Sequence, residues 1–503
     1  SFLQKGKIRM SETRKQIHNK LSLLGKDIKN THISEIQRYK DLQKSVINND
    51  LLDFDYSKQR INDEAIEYLL EIPNLINLKE SLNRLFKGEV NNPSEDKAVS
   101  HTLYRNKTSN KEFELIFTER ERIKSFLEKN ASSLKFKNLI CLSIGGSRLG
   151  PELLNEFQAL DGPVNIYFCS SYDLLELRDV LRNCKQNETV IFASSKSFET
   201  SEILKNLDYV KSWYKEKPDI DFYEHLFAIS ANVSSMNAYG IKKSNQFQVL
   251  DSLGGRFSIW SSISLPAFIN SNFDSYLELL EGARLADEHT KEASWESNIP
   301  VMMALLGVWN TSSLNINNHG IFTYNFRLRS LTKYISQLSM ESNGKSINFE
   351  SKESHFLTSP LIWGGYGIES QHSTFQWLMQ GKTETSCDFI GLNNGKKEIV
   401  DSYEMLLSQV LAMTYGEEDK DNLFKTIKGN NPCSILQLNS IDLRSLGFLL
   451  AIYEHKVFIE ASILGIDPFD QWGVQLGKRI ALESKKNKEF LKENFSKSIL
   501  PKS

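Results

Sequence analysis

The sequence predicts an α/β protein with mainly parallel sheets, and three observations carry that expectation. Short apolar runs that stop at Gly or Ser alternate with patterns of helical spacing. The alternation occurs twice, first from Leu139 and again from about Ile321. The chain of 503 residues also exceeds what one hydrophobic core organises. Residues 1–100 read as helices with polar connectors, with Asp55-Tyr56-Ser57 opening one pattern and Asn91-Asn92-Pro93-Ser94 breaking another. Leu139 to Ser143 is a first strand ended by Gly145-Gly146, and Pro151 then takes the place of a first helical residue. Val164–Cys169 is a second strand, Leu174–Cys184 a helix and Thr189–Ala193 a third strand. Ile203, Leu207, Val210 and Tyr214 mark the next helix by steps of four, three and four. Strand–helix alternation at this spacing implies right-handed crossovers within a parallel sheet.

The second set runs strand Ile321–Tyr324, helix Leu328–Ser339, strand Pro360–Trp363, helix Gln371–Met379, strand Cys387–Leu392 and helix Tyr403–Tyr415. A strand at Ser434–Leu438 precedes a long helix from Leu443. Its apolar stretch, Leu446 to Ile466, carries Glu454, His455, Lys456 and Glu460, so it reads as a buried or interface helix and not a membrane span. From Ser484 the chain carries Lys485, Lys486, Lys488 and Lys492, read as a solvated helical arm.

Composition narrows the function classes. Basic and acidic residues nearly cancel at 61 and 63, which leaves no basic domain for nucleic acid and no acidic tail. Cys141, Cys169, Cys184, Cys387 and Cys433 have no CxxC spacing and read as reduced thiols of a cytosolic enzyme. Ser1 to Lys7 lacks the apolar core of a signal peptide, so a cytoplasmic location is expected. There is no HExxH, no clustered Asp pattern, no GxSxG elbow, no GxxxxGK[ST] and no GxGxxG after the first strand. The expectation is chemistry without a metal or cofactor.

Two loops suit a phosphate. Ser143-Ile144-Gly145-Gly146-Ser147 lets backbone approach a ligand, and Ser194 to Ser201 places hydroxyls before a helix N-terminus. The same Ser and Thr residues also fit a role as caps and turn formers. Met340-Glu341-Ser342-Asn343-Gly344-Lys345 places a carboxylate where a helical pattern meets a turn, the posture of a general base, though also that of a solvated charge. Arg256, beside Gly254-Gly255, fits either the stabilisation of developing negative charge or a structural ion pair. His372 lies at a strand-to-helix turn and is suited to proton exchange near neutrality. Lys478 shares a helical side with Val474, with Gln471 one turn earlier; it faces inward if that stripe is buried and snorkels otherwise.

Together these motifs resemble the glucose-6-phosphate isomerase (phosphoglucose isomerase) family. The anchors are Ile144-Gly145-Gly146-Ser147, Ser195-Lys196-Ser197-Phe198, Gly254 to Ser258, Met340 to Lys345, and Asp470 to Lys478, in family order along most of the chain. The resemblance implies two sugar-isomerase (SIS-type) α-β-α sandwich domains, a homodimer with a shared active site, and interconversion of glucose 6-phosphate and fructose 6-phosphate through a cis-enediolate, in glycolysis and gluconeogenesis. On it, residues 1–100 are the N-terminal helical part of the large domain, 101–274 the small domain, 275–480 the large domain and 481–503 the arm. It also implies roles: Glu341 moves the proton between C1 and C2, His372 helps open the ring from the partner subunit, and Arg256 stabilises the enediolate. Lys478, Gln471 and Gln337 complete the centre; Gly146 and Ser147 contact the sugar phosphate, and Ser195, Lys196, Ser197 and Thr200 hold its phosphate.

The chain departs from the family's usual form at Gly365-Tyr366 (Glu-Pro), Ile368-Glu369-Ser370 (Thr-Asn-Gly), Glu199 (Thr), Arg148 (Asp) and Gln475 (Glu). A carboxylate at Glu199 would repel a phosphate, so its side chain is expected to point away. Two other readings fit the same loops. A sugar-phosphate sensor needs no base, which the presence of Glu341 and Lys478 disfavours. An isomerase for another phosphosugar, such as mannose 6-phosphate, differs only in pocket contacts.

Overall fold

The computed structural model describes residues 2–36, 42–106, 112–132, 136–159, 161–486, 491 and 493–499. Its frame is two sheets. The smaller is formed by β5 (Asn138–Ser143), β6 (Asn165–Cys169), β7 (Thr189–Ser194), β8 (Leu226–Ser230) and β9 (Gln246–Gln248), ordered β6-β5-β7-β8-β9 and parallel throughout. The larger combines β1 (Val46–Ile47) and β2 (Leu52–Lys58) with β10 (Asn318–Thr323), β11 (Leu361–Tyr366), β12 (Ser386–Leu392) and β13 (Cys433–Leu438). Its order is β1-β2-β13-β12-β10-β11, parallel from β13 to β11 and antiparallel where β2 joins β1 and β13. A small hairpin, β3 (Asn91–Asn92) with β4 (Lys97–Ala98), stands apart from both.

Every residue of β5 and β7 is buried, because crossover helices cover both faces of the sheet. Alternate side chains therefore serve different cores: Leu139, Cys141 and Phe192 join the main cluster, while Ile140, Leu142 and Ile191 join a second beneath the crossovers. The expected long helix, Leu443–Leu464, is buried along nearly its whole length, and Glu454, His455, Lys456 and Glu460 are paired inside. No helix among the described residues is long and apolar enough to cross a membrane.

Three expectations need correcting. Asp55-Tyr56-Ser57 opens no helix. It lies in β2, where Leu52, Phe54 and Tyr56 are buried and Asp53 and Asp55 are half-buried, an alternation of period two. Pro151 is not a first helical residue: the helix is Gly146–Gln158. Gly145, at φ +59°, turns the chain directly out of β5, and its carbonyl accepts from Arg148 and Leu149 N–H. The helix read over Gln371–Met379 is two short ones, Gly367–Gln371 and Phe375–Gln380, with His372 capping the first. Ser373 and Thr374 hydroxyls donate to the carbonyls of Glu369 and Ser370, competing with the helical ladder. The basic run Lys485, Lys486, Lys488 and Lys492 has side chains outside the described residues.

Candidate active site

β5 and β7 are neighbours whose chains leave in opposite directions across the small sheet, with Ser143 beside Ser194 in register. Such a switch point opens a crevice at the strands' carboxyl ends, and both suspected phosphate loops issue there. In the second loop the Ser195 and Thr200 hydroxyls bond each other at 2.8 Å. Thr200 holds the N-cap position of the Ser201–Tyr214 helix, yet its side chain does not cap it, so the hydroxyls face the cavity and not the helix end. That cavity, about 1050 Å³, is lined by Ser195, Lys196, Ser197, Thr200, Gln471, Gln475 and Lys478 among others. Lys97, Lys196 and Lys478 outnumber its carboxylates, Glu95 and Asp251, which suits an anion. Burial pulls the Lys196 ammonium below its usual pKa; Asp251, 3.9 Å away, opposes this and Lys97 adds to it. Glu199 does not line the cavity: it is exposed, and one carboxylate oxygen accepts from the Ser235 hydroxyl.

A neighbouring cavity of about 1350 Å³ contains Glu341 and shares Ser94, Gln471 and Trp472 with the first. Glu341 stands on the last turn of the Leu331–Asn343 helix, which Leu331, Tyr334, Ile335 and Leu338 anchor in the core. Gln337, one turn earlier, donates Nε2–H to Glu341 Oε2 at 2.9 Å. Arg256 Nη1 lies 3.5 Å from the other oxygen, Oε1. The guanidinium is buried and held on several sides: Nε donates to Ser342 Oγ at 2.7 Å, Nη1 to Gln471 Oε1 at 2.9 Å, and Nη2 to the carbonyls of Pro468 and Asp470. Burial lowers its pKa and Glu341 opposes this; the guanidinium is buried while the Glu341 carboxylate stays partly open to the cavity.

The first glycine loop completes the centre. A Cβ on Gly146 would lie 2.1 Å from the Gly255 carbonyl oxygen and 2.6 Å from Arg256 N, and one on Gly145 3.3 Å from Gln337 Nε2. Backbone contact this close requires glycine and brings three distant segments around one point. Residues 55–498 match the profile described as phosphoglucose isomerase. The chain belongs to the phosphoglucose isomerase family. It is 35% identical over 473 residues to a glucose-6-phosphate isomerase of Acinetobacter baumannii (strain AYE), an alignment covering 86% of this chain and 85% of that protein. A glucose-6-phosphate isomerase of Buchnera aphidicola subsp. Cinara cedri is likewise 35% identical, over 90% of each chain. The crystal structure of a glucose-6-phosphate isomerase from Chlamydia trachomatis D/UW-3/Cx superposes with a TM-score of 0.86 at 30% identity, covering 94% of this chain and 95% of that one.

Within this phosphoglucose isomerase family member, Gly146, Arg256, Gln337, Glu341 and Gln471 converge on one centre, and Ser195, Lys196, Ser197, Thr200 and Lys478 line the adjoining cavity. Ser147 is half-buried and lines neither cavity. Lys478 does not face a buried stripe: Val474 is 51% exposed and Lys478 is exposed beside the phosphate loop. His372 is exposed and lines neither cavity. Arg148 turns away to Glu152, Glu176 and Ser170. Sequence reasoning missed Ser342, Lys345 and Asp470. All three sit inside motifs already singled out, but only the fold reveals their contacts with Arg256 and the Glu341 helix. Among the described residues no group of three or more His, Cys, Asp or Glu side chains is placed to hold a metal ion.

Proposed function

We propose that this protein interconverts glucose 6-phosphate and fructose 6-phosphate, with Glu341 as the base. The observation that carries this reading is the Glu341 carboxylate, oriented by Gln337 and set against the buried Arg256 guanidinium beside a hydroxyl- and lysine-lined cavity. Glu341 takes the proton from C2 of the open-chain aldose and returns it to C1. The negative charge that builds on the enediolate oxygens falls to Arg256 and Lys478. The phosphate rests on Ser195, Lys196, Ser197 and Thr200, while Gly146 and Gln471 hold the sugar. Tethering the phosphate turns proton transfer into a positioned, intramolecular-like event.

His372, exposed on its own subunit, opens the sugar ring in the site of a partner, which makes the enzyme a homodimer with shared active sites. In this reading residues 101–274 form the small domain, 275–480 together with 1–100 the large domain, and 481–503 an arm; the enzyme works in the cytoplasm, in glycolysis and gluconeogenesis. The test supplies fructose 6-phosphate and detects glucose 6-phosphate with a coupled dehydrogenase. Turnover that survives a chelator is expected. In Glu341→Gln, kcat should fall by roughly 10²–10⁴-fold while a sugar-phosphate acid anion still binds. Full turnover by that variant would assign the base elsewhere.

A further inference from the structure

Lys345 lines the Glu341 cavity, is largely buried, and spends its ammonium on three oxygens. Nζ donates to the Glu341 carbonyl at 2.9 Å and to the Ser342 carbonyl at 2.7 Å, two acceptors that the end of the helix leaves without intrahelical partners. It also lies 3.3 Å from Asp470 Oδ1, an ionic contact without an aligned hydrogen bond, since Oδ1 has no hydrogen-bond partner. The other Asp470 oxygen, Oδ2, accepts from Ser94 Oγ. Burial lowers the Lys345 pKa, Arg256 adds to that effect, and Asp470 and Asp467 oppose it. An ammonium held where its charge is penalised is costly unless its partners are well placed.

The same two segments are tied a second time by Arg256, which donates to Ser342 Oγ on the helix side and to the Asp470 carbonyl and Gln471 on the other. The base and its guanidinium thus ride on separate pieces of chain, joined by two parallel cationic cross-ties. We propose that Lys345 is a positioning residue for isomerisation: with Asp470 it locks the last turn of the Glu341 helix to the 467–471 segment and so sets the spacing between base and Arg256. Lys345 itself does not touch the reacting carbons; it acts through Glu341 and Arg256.

This inference rests on the isomerase reading, and the two fail differently: an inactive wild-type protein would sink that reading, whereas an active wild type with indifferent Lys345 variants would sink only this one. The experiment measures kcat and KM of the full-length protein as wild type, Lys345→Met, Asp470→Asn and the double variant. Melting temperatures are recorded, and rates are normalised to the folded fraction. Each single variant is expected to lose roughly 10²-fold in kcat, the scale of a 1 Å misplacement, with KM within about threefold of wild type. The double variant should lose no more than either single one, because both cut the same tie. Unchanged kcat, a rise confined to KM, or losses that multiply in the double variant would each overturn the proposal. Should Lys345→Met fail to fold, the isosteric Asp470→Asn alone decides it by the same division between kcat and KM.

Discussion

At Gly146 a single hydrogen atom separates a working centre from a broken one. An added Cβ meets the backbone of Gly255 and Arg256, not the end of a flexible side chain, so the Arg256 loop has to move. Gly146→Ala should therefore keep the fold and lose kcat/KM by roughly 100-fold, measured in the coupled assay, since an ångström of misplacement at the reacting groups is enough. The glycine was legible in the sequence as a site of close approach, but what it approaches was not: Gly255 lies more than 100 positions away. Glu199 shows the converse. The expectation that it turns from the phosphate follows from charge repulsion alone, and the structure supplies the acceptor–donor contact with Ser235.

At the scale of elements, β7 delivers the proposed phosphate loop to the switch point beside β5. Its hydroxyls are held to one another and not to the helix they precede. Thr200→Val deletes one member of the Ser195–Thr200 pair. We expect KM for fructose 6-phosphate to rise roughly tenfold, with kcat nearly unchanged, as for one hydrogen bond to a charged group; steady-state kinetics checks it. β2 shows why an element was missed. Its alternation Leu52-Asp53-Phe54-Asp55-Tyr56 is a period-two pattern, yet it is short, and it is held by the two-residue β1 on one side and by β13, far along the chain, on the other. Similarly, nothing in the spacing of Gln371 to Met379 reveals that Ser373 and Thr374 prefer the carbonyls of the preceding turn.

At the scale of the molecule, a buried ionic network underlies the site. Arg105 pairs with Asp287 and Glu454, Glu454 accepts from Trp260 Nε1 at 2.7 Å, and His455 meets Asp287 at 2.7 Å. Burial drives the Glu454 carboxyl up to about 7, although Arg105 pulls it down. Burial also works against ionised Asp287, but Arg105 and His455 prevail and hold it down at about 2. The signs oppose one another. The folded protein holds a proton on Glu454 that the unfolded chain releases near 4.5, so this group's contribution declines as pH rises from 4.5 through 7. The Asp287 contribution is present above 3.8 and is lost as pH falls through about 2. The melting temperature of the wild type relative to Glu454→Gln, scanned from pH 5 to 8, should therefore fall as pH rises, whatever the variant's effect on stability itself. The proposed sharing of the site between two subunits makes a second whole-molecule prediction. Glu341→Gln and His372→Ala are each expected to be nearly inactive, but refolding them together at 1:1 should restore about a quarter of wild-type activity, because half the dimers contain one intact site of two. Sedimentation of the mixture alongside the assay checks that dimers form.

The sequence by itself determined the class of the fold and the two sets of alternating elements, and it singled out Arg256, Gln337, Glu341 and Gln471 but not Ser342, Lys345 or Asp470 beside them. Those follow from local periodicity and from side-chain chemistry, which the chain carries wherever it goes. Which residues meet was decided by tertiary structure alone. The contact of Arg256 with Glu341, the bridge from Lys345 to Asp470 and the stacking of Gly146 on Gly255 join segments that only the two sheets and their crossovers bring together. Lys478, which its helix leaves exposed and which lines the cavity beside Ser195 to Thr200, shows the same limit. A helical stripe states which side chains share a face, and the rest of the molecule determines whether anything covers it.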